Sequence, residues 1–178
     1  GNGYTDEWVE EAKKRGLFNL KSLPDALPQF IAEKNIDLFI KHRIFTKEEI
    51  YSRYEIILEN YSKTIHIESL TMQDMVKKDF TPALFAYVSD VTKEALDKRK
   101  LLPSLSASYE EKIVQTLTES SEQIVLALAA LTEDTKKAEQ MEEPLETARY
   151  YHDSILKDMD TLRASVDQAE AIIPGSYL

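Results

Sequence analysis

Residues 144–173 read PLETARYYHDSILKDMDTLRASVDQAEAII. Leu145, Ala148, His152, Ile155, Met159, Leu162, Val166, Ala169 and Ile173 follow one another at alternating steps of three and four. A step averaging about 3.5 lines one stripe of a helix and calls for a partner helix crossing at about +20°. Pro144 opens the segment at the first helical position, where a missing N–H costs nothing. Just upstream, Ser108 and Glu111 have capping-box spacing, and Ile113, Leu117, Ser120, Ile124, Leu128 and Leu131 repeat at threes and fours. Residues 136–143 are too short a link for anything but an antiparallel hairpin, placed over 108–174.

Further upstream, Thr46 and Glu49 form a second capping-box pair. Behind them Ile50, Tyr54, Ile57, Tyr61, Ile65, Met72, Met75 and Val76 keep helical steps, with Glu68 standing in the one gap. Ile56, Ile67 and Leu70 add apolar cover elsewhere, which predicts a long central helix with neighbours on more than one face. Pro82 is expected to kink or end it, so 46–105 reads as a long kinked helix region. Residues 1–45 read as a leading segment of short helices. Thr5 caps one, with Asp6 and Glu7 in its first turn and Lys13, Lys14, Arg15 and Gly16 at its stop. Pro24 and Pro28 break the next stretch, and Ile36, Phe39 and Ile40 make a short stripe ending near His42. No run alternates long enough for a strand. The expected fold is all-α: one domain over 1–178, an antiparallel helical bundle with three long helices and short N-terminal helices.

Composition narrows the partners. The chain has 178 residues, 43% hydrophobic and 30% charged, and a net charge of −10. Residues 1–106 are nearly balanced, whereas 107–178 carry 15 acidic and 6 basic side chains. Such a surface repels nucleic acid and anionic lipid, so neither is an expected partner. The longest strongly apolar run, Ile124–Leu131, is far short of the roughly 20 residues that cross a bilayer. The absence of cysteine fits a cytoplasmic setting. Gly1-Asn2-Gly3 holds no initiator methionine, so a piece excised from a longer product is expected.

Searching for chemistry returns little. His42, His66 and His152 have Phe39, Lys63 and Arg149 three residues before them, so the Glu-x-x-His pairs of a di-iron bundle are missing. His66 and Glu68 stand two apart, which sends them to different helix faces and makes no chelate. There is no phosphate-binding glycine loop or serine elbow. The expectation is no catalytic, cofactor-binding or metal residue in the chain. His152 falls on the heptad seam and reads as a seam histidine. Glu68 sits in an apolar stripe, where a buried carboxylate would need a cationic or hydrogen-bonding partner.

Several segments carry identities at polar positions too: Asn2 to Ala12 with Arg15-Gly16-Leu17; Ser52-Arg53-Tyr54-Glu55-Ile56; Glu59 to Glu68; and Tyr151-His152-Asp153-Ser154-Ile155-Leu156. Together they resemble the C-terminal region of type III glutamine synthetases, strongly over 2–76 and 144–174 and more thinly over 85–142. The resemblance implies a cytoplasmic, ring-built homo-oligomer that condenses glutamate with ammonia using ATP and a divalent metal, magnesium or manganese. In that family the metal, nucleotide and ammonia sites belong to a catalytic domain upstream, and no catalytic residue carries over to this chain. The family pattern also continues past Pro174, whereas this chain stops at Leu178. The implied role is a non-catalytic helical domain that braces the upstream catalytic domain or subunit contacts. Arg53, Glu55, Glu68 and His152 are its candidate structural or interface residues. Two rivals remain beside it: a stand-alone acidic α-helical interaction module that binds a basic partner, and a metal-dependent bundle enzyme.

Overall fold

A computed structural model describes residues 3–178. The chain is all-helical, with no strand among the described residues. Its leading segment forms α1 (Asp6–Lys14), α2 (Leu23–Ala26), a 3-10 turn (Leu27–Gln29) and α3 (Glu33–Lys41). Gly16 closes α1 at φ +72°, a conformation that glycine adopts without strain. Ser22 starts α2 by accepting the Asp25 N–H at 3.3 Å.

α4 (Lys47–Met75) begins with the predicted reciprocal cap. The Glu49 N–H donates to Thr46 Oγ1 at 3.2 Å, and the Thr46 N–H donates to Glu49 Oε2 at 2.8 Å. Pro82 does not end this helix. A π turn (Val76–Phe80) leads directly into α5 (Thr81–Leu101), so the chain is helical without interruption from Lys47 to Leu101. The physical reason lies in the widened turn. A proline cannot donate to the carbonyl four residues back, and its ring crowds that carbonyl. Here the Thr81 N–H bonds to the Val76 carbonyl, and the Thr81 hydroxyl donates to the same oxygen at 2.7 Å. The turn before Pro82 is thereby opened and its backbone satisfied. The helix stops where Leu102 turns extended ahead of Pro103.

α6 (Ser108–Ala138) starts one residue earlier than its capping pair suggested. Ala107 is the cap residue, Ser108 is already helical, and Glu111 forms an ion pair with Arg99. Lys98 pairs likewise with Glu110, so two ion pairs join the end of α5 to the start of α6. Glu143 caps α7 (Pro144–Tyr150), accepting the Glu146 N–H at 2.7 Å. A second π turn (Tyr151–Ile155) then leads into α8 (Leu156–Glu170).

Cross-helix contacts give the directions. Ser69 meets Thr135, Gln73 meets Thr132 and Lys98 meets Glu110, so α6 runs antiparallel to α4 and α5. Tyr54 packs with Ala148, His66 meets Tyr151 and Asp90 meets Tyr177, so α7 and α8 run parallel to α4 and α5. The main core lies between these three stretches around Leu84, Leu117, Ile124, Leu131, Ile155 and Leu162. A smaller cluster seats the leading segment: Leu23, Leu27, Phe30 and Ile31 pack on Tyr54, Leu58 and Ala148. At the far end Tyr177 donates to Asp90 at 2.7 Å and stacks edge-on with Tyr87, tying the tail to α5.

Two seams differ from their sequence patterns. In α4 the buried line passes through Ile65, Ser69, Gln73 and then Val76, not through Glu68 and Met72. In the last helical stretch it passes Ala148, Tyr151 and Ile155, not His152. Tyr151 stands in the second π turn and faces inward, with His152 beside it on the flank.

Candidate functional site

The buried seam of α4 is polar where it meets α6. Thr135 donates its hydroxyl to the Leu131 carbonyl at 2.6 Å, so its oxygen accepts from Ser69 at 2.8 Å and from Gln73 Nε2 at 3.3 Å. Gln73 Oε1 accepts from Thr132 at 2.9 Å and from Lys77 at 3.5 Å. Every member has a partner, which is what allows such a network to stay buried. It fixes the register of α4 against α6 and carries no reactive group.

Beside it lies a second polar cluster, where α4 passes the α6–α7 loop. The Tyr151 hydroxyl is hydrogen-bonded to His66 Nδ1 at 3.0 Å, with the rings edge-on, and Glu139 Oε1 lies 3.7 Å from His66 Nε2. Burial, and then the Glu139 carboxylate, push the Tyr151 phenol up from its ordinary pKa of 10.0. With Ser62, Lys63, Glu142 and Thr147 these groups line a pocket of about 300 Å³. Ser62 Oγ is buried there without a hydrogen-bond partner. Among the described residues, no group of three or more His, Cys, Asp or Glu is placed to hold a metal ion.

A third feature is a groove of about 620 Å³ between α4–α5 and α8, floored by Met72, Val76, Phe80, Leu162 and Val166. Glu68, Asp79, Asp167 and Glu170 stand around it, with Arg163 the one cation, 3.5 Å from Asp167.

The residues singled out from sequence are not gathered in one place. The Arg53 guanidinium lies 4.6 Å from the Phe45 ring centre, at the start of α4. Glu55 is exposed nearby. Glu68 comes roughly 20 Å further along the helix; it is exposed at the groove edge and needs no buried cation. His152 is 38% exposed and its Nδ1 lies 2.7 Å from Asp153 Oδ1. The clustered groups are instead His66, Glu139 and Tyr151, which sequence reasoning missed. His66 was legible as a titratable residue, but its partners lie 73 and 85 positions away, and no spacing rule reaches that far.

A family model described as the glutamine synthetase C-terminal domain matches residues 1–100. A glutamine synthetase of Butyrivibrio fibrisolvens is 60% identical over 178 residues, covering 100% of this chain and 25% of the relative. A type-3 glutamine synthetase of Dictyostelium discoideum is 32% identical over 183 residues, 97% of this chain and 24% of the relative. A glutamine synthetase of Bacteroides fragilis is 26% identical over 175 residues, with 96% and 24% covered. The chain thus spans about a quarter of the length of the curated relatives it matches.

Proposed function

The chain belongs to the glutamine synthetase C-terminal domain family, and from that premise we propose that it serves as a non-catalytic helical domain of a larger glutamine synthetase. The parent enzyme joins glutamate to ammonia at the expense of ATP, with magnesium or manganese, and works in the cytoplasm as a homo-oligomer. The domain acts as an antiparallel bundle that braces the upstream catalytic domain or the contacts between subunits. What carries the reading is the 60% identity that runs through all 178 residues to an enzyme about four times as long. This reading assigns no step involving ATP or metal to residues of this chain. Its contribution is mechanical. A domain that binds only the folded, assembled state stabilises that state by linkage. Arg53, Glu55, Glu68 and His152, all exposed or on the flank, are the polar side chains available for such contacts.

The test compares the parent enzyme with a version lacking this domain and with Arg53→Ala/Glu68→Ala. Sedimentation, melting temperature and the rate of ATP-dependent glutamine formation are measured. Loss of the domain should dissociate the assembly and lower both the melting temperature and the ligase rate. The double variant should weaken the assembly by about 1 kcal/mol, the scale of partly screened surface charges. An enzyme that assembles, melts and turns over unchanged without the domain overturns the reading.

A further inference from the structure

The groove between α4–α5 and α8 is an apolar surface that the fold leaves uncovered beside its own core. Its α4 wall is one run of the helix: Ile67, Glu68, Thr71, Met72 and Met75 follow steps of three and four along it. Patterning of that kind is made for a neighbouring helix. Within this chain α8 covers only part of it, leaving Met75 58% and Ile67 62% exposed. A trough between two parallel helices with an apolar floor suits a third helix, laid in with anchors at i, i+3 or i+4, and i+7.

Charge selects the occupant. Glu68, Asp79, Asp167 and Glu170 surround the floor, and Arg163 is already engaged with Asp167. A second copy of this chain would bring the same acidic rim and a net charge of −10 against it, and an anionic lipid surface is repelled in the same way. A basic, amphipathic helix is complementary in both respects. The most available source is the remaining three-quarters of the enzyme, present at high effective concentration because it is tethered.

We propose that this groove seats a basic amphipathic helix from the catalytic part of the same enzyme, with its apolar side chains on Met72, Val76 and Val166 and its Lys or Arg residues against Glu68, Asp79, Asp167 and Glu170. This rests on the reading of the chain as the helical domain of a larger glutamine synthetase.

A photo-crosslinking residue placed at Met75 of the full-length enzyme tests it, with one at the exposed Leu126 of α6, outside the groove, as control. Mass spectrometry identifies the captured peptide. The expected result at Met75, and not at Leu126, is a peptide from outside this domain with apolar residues at helical spacing and at least two Lys or Arg among them. Glu68→Lys/Asp167→Lys should lower the yield roughly fivefold, and added salt should lower it in the unaltered enzyme. Glu68→Gln/Asp167→Asn, which keeps the shape, should lower it less. Capture of a second copy of this domain, of an acidic or unpatterned segment, or of nothing overturns the proposal. Those outcomes leave the bracing role intact if removing the domain still dissociates the enzyme. If removal has no effect, the bracing role itself fails, whatever is captured.

Discussion

Thr135 shows how much one hydroxyl can hold. Its oxygen receives Ser69 and Gln73 while its proton goes to Leu131, so Thr135→Val takes the acceptor from the buried Ser69 hydroxyl and leaves the Gln73 amide with Ser69 Oγ alone. The expected loss is about 1–3 kcal/mol in urea unfolding. Ser69→Ala combined with Thr135→Val should cost less than the two changes added, since each removes the other's partner; strict additivity would deny the network. Asp158 behaves differently. Burial, and then the nearby Asp134 carboxylate, push its carboxyl above the ordinary 3.8, and its Oδ2 is buried without a partner. The folded chain therefore holds a proton that the unfolded chain releases. That contribution is present at low pH and is lost as pH rises through the raised value. Asp134 has the opposite sign. Burial acts to raise it, but hydrogen bonds with Lys137 and Tyr150 and the Lys137 charge outweigh this and hold it below 3.8. Asp158→Asn should therefore be more stable than the natural chain at neutral pH, with the gap closing as pH falls towards about 4. A gap that stays constant across that range would show that Asp158 titrates normally.

At the scale of elements, the apolar repeat of the sequence and the buried line part company in two places: at Ser69 and Gln73 of α4, ahead of the first π turn, and at Tyr151, within the second. The second turn makes a clean comparison. Tyr151 is buried and bonded to His66, whereas its neighbour His152 touches Asp153 on the flank. Tyr151→Ala should cost about 3 kcal/mol or more, in the range of large-to-small aromatic changes in a core. His152→Ala should stay within about 0.5 kcal/mol, as for surface positions. Thermal unfolding of both variants decides it. The reverse ranking would mean that the heptad register continues unbroken through residues 151–155.

Over the whole molecule, stability is graded along the chain. α1 buries none of its residues, and Trp8, the only tryptophan, lies on it beneath the Arg15 guanidinium, 5.4 Å from the ring centre. α6, by contrast, sends Leu117, Ile124 and Leu131 into the core. Local opening follows buried contact, so amides of α1 should exchange orders of magnitude faster than those in the middle of α6. Trp8 fluorescence of the isolated chain should accordingly change before the helical signal is lost. Coincident transitions would show that α1 is fixed as firmly as the core.

The all-helical fold, the Thr46–Glu49 cap, the Pro144 start and the short α6–α7 link were all legible in the sequence. Each depends on neighbours within about one or two turns, where spacing and backbone chemistry act directly. Membership of the family was legible too, because polar identities in Asn2 to Ala12 and Glu59 to Glu68 exceed what helical patterning requires. The cluster of His66, Glu139 and Tyr151, the turning of Glu68 to the groove edge and the exchange of His152 for Tyr151 in the seam were decided by tertiary structure. A helix repeat specifies a stripe but not which of two adjacent stripes another helix covers. Here packing partners far apart in sequence made that choice.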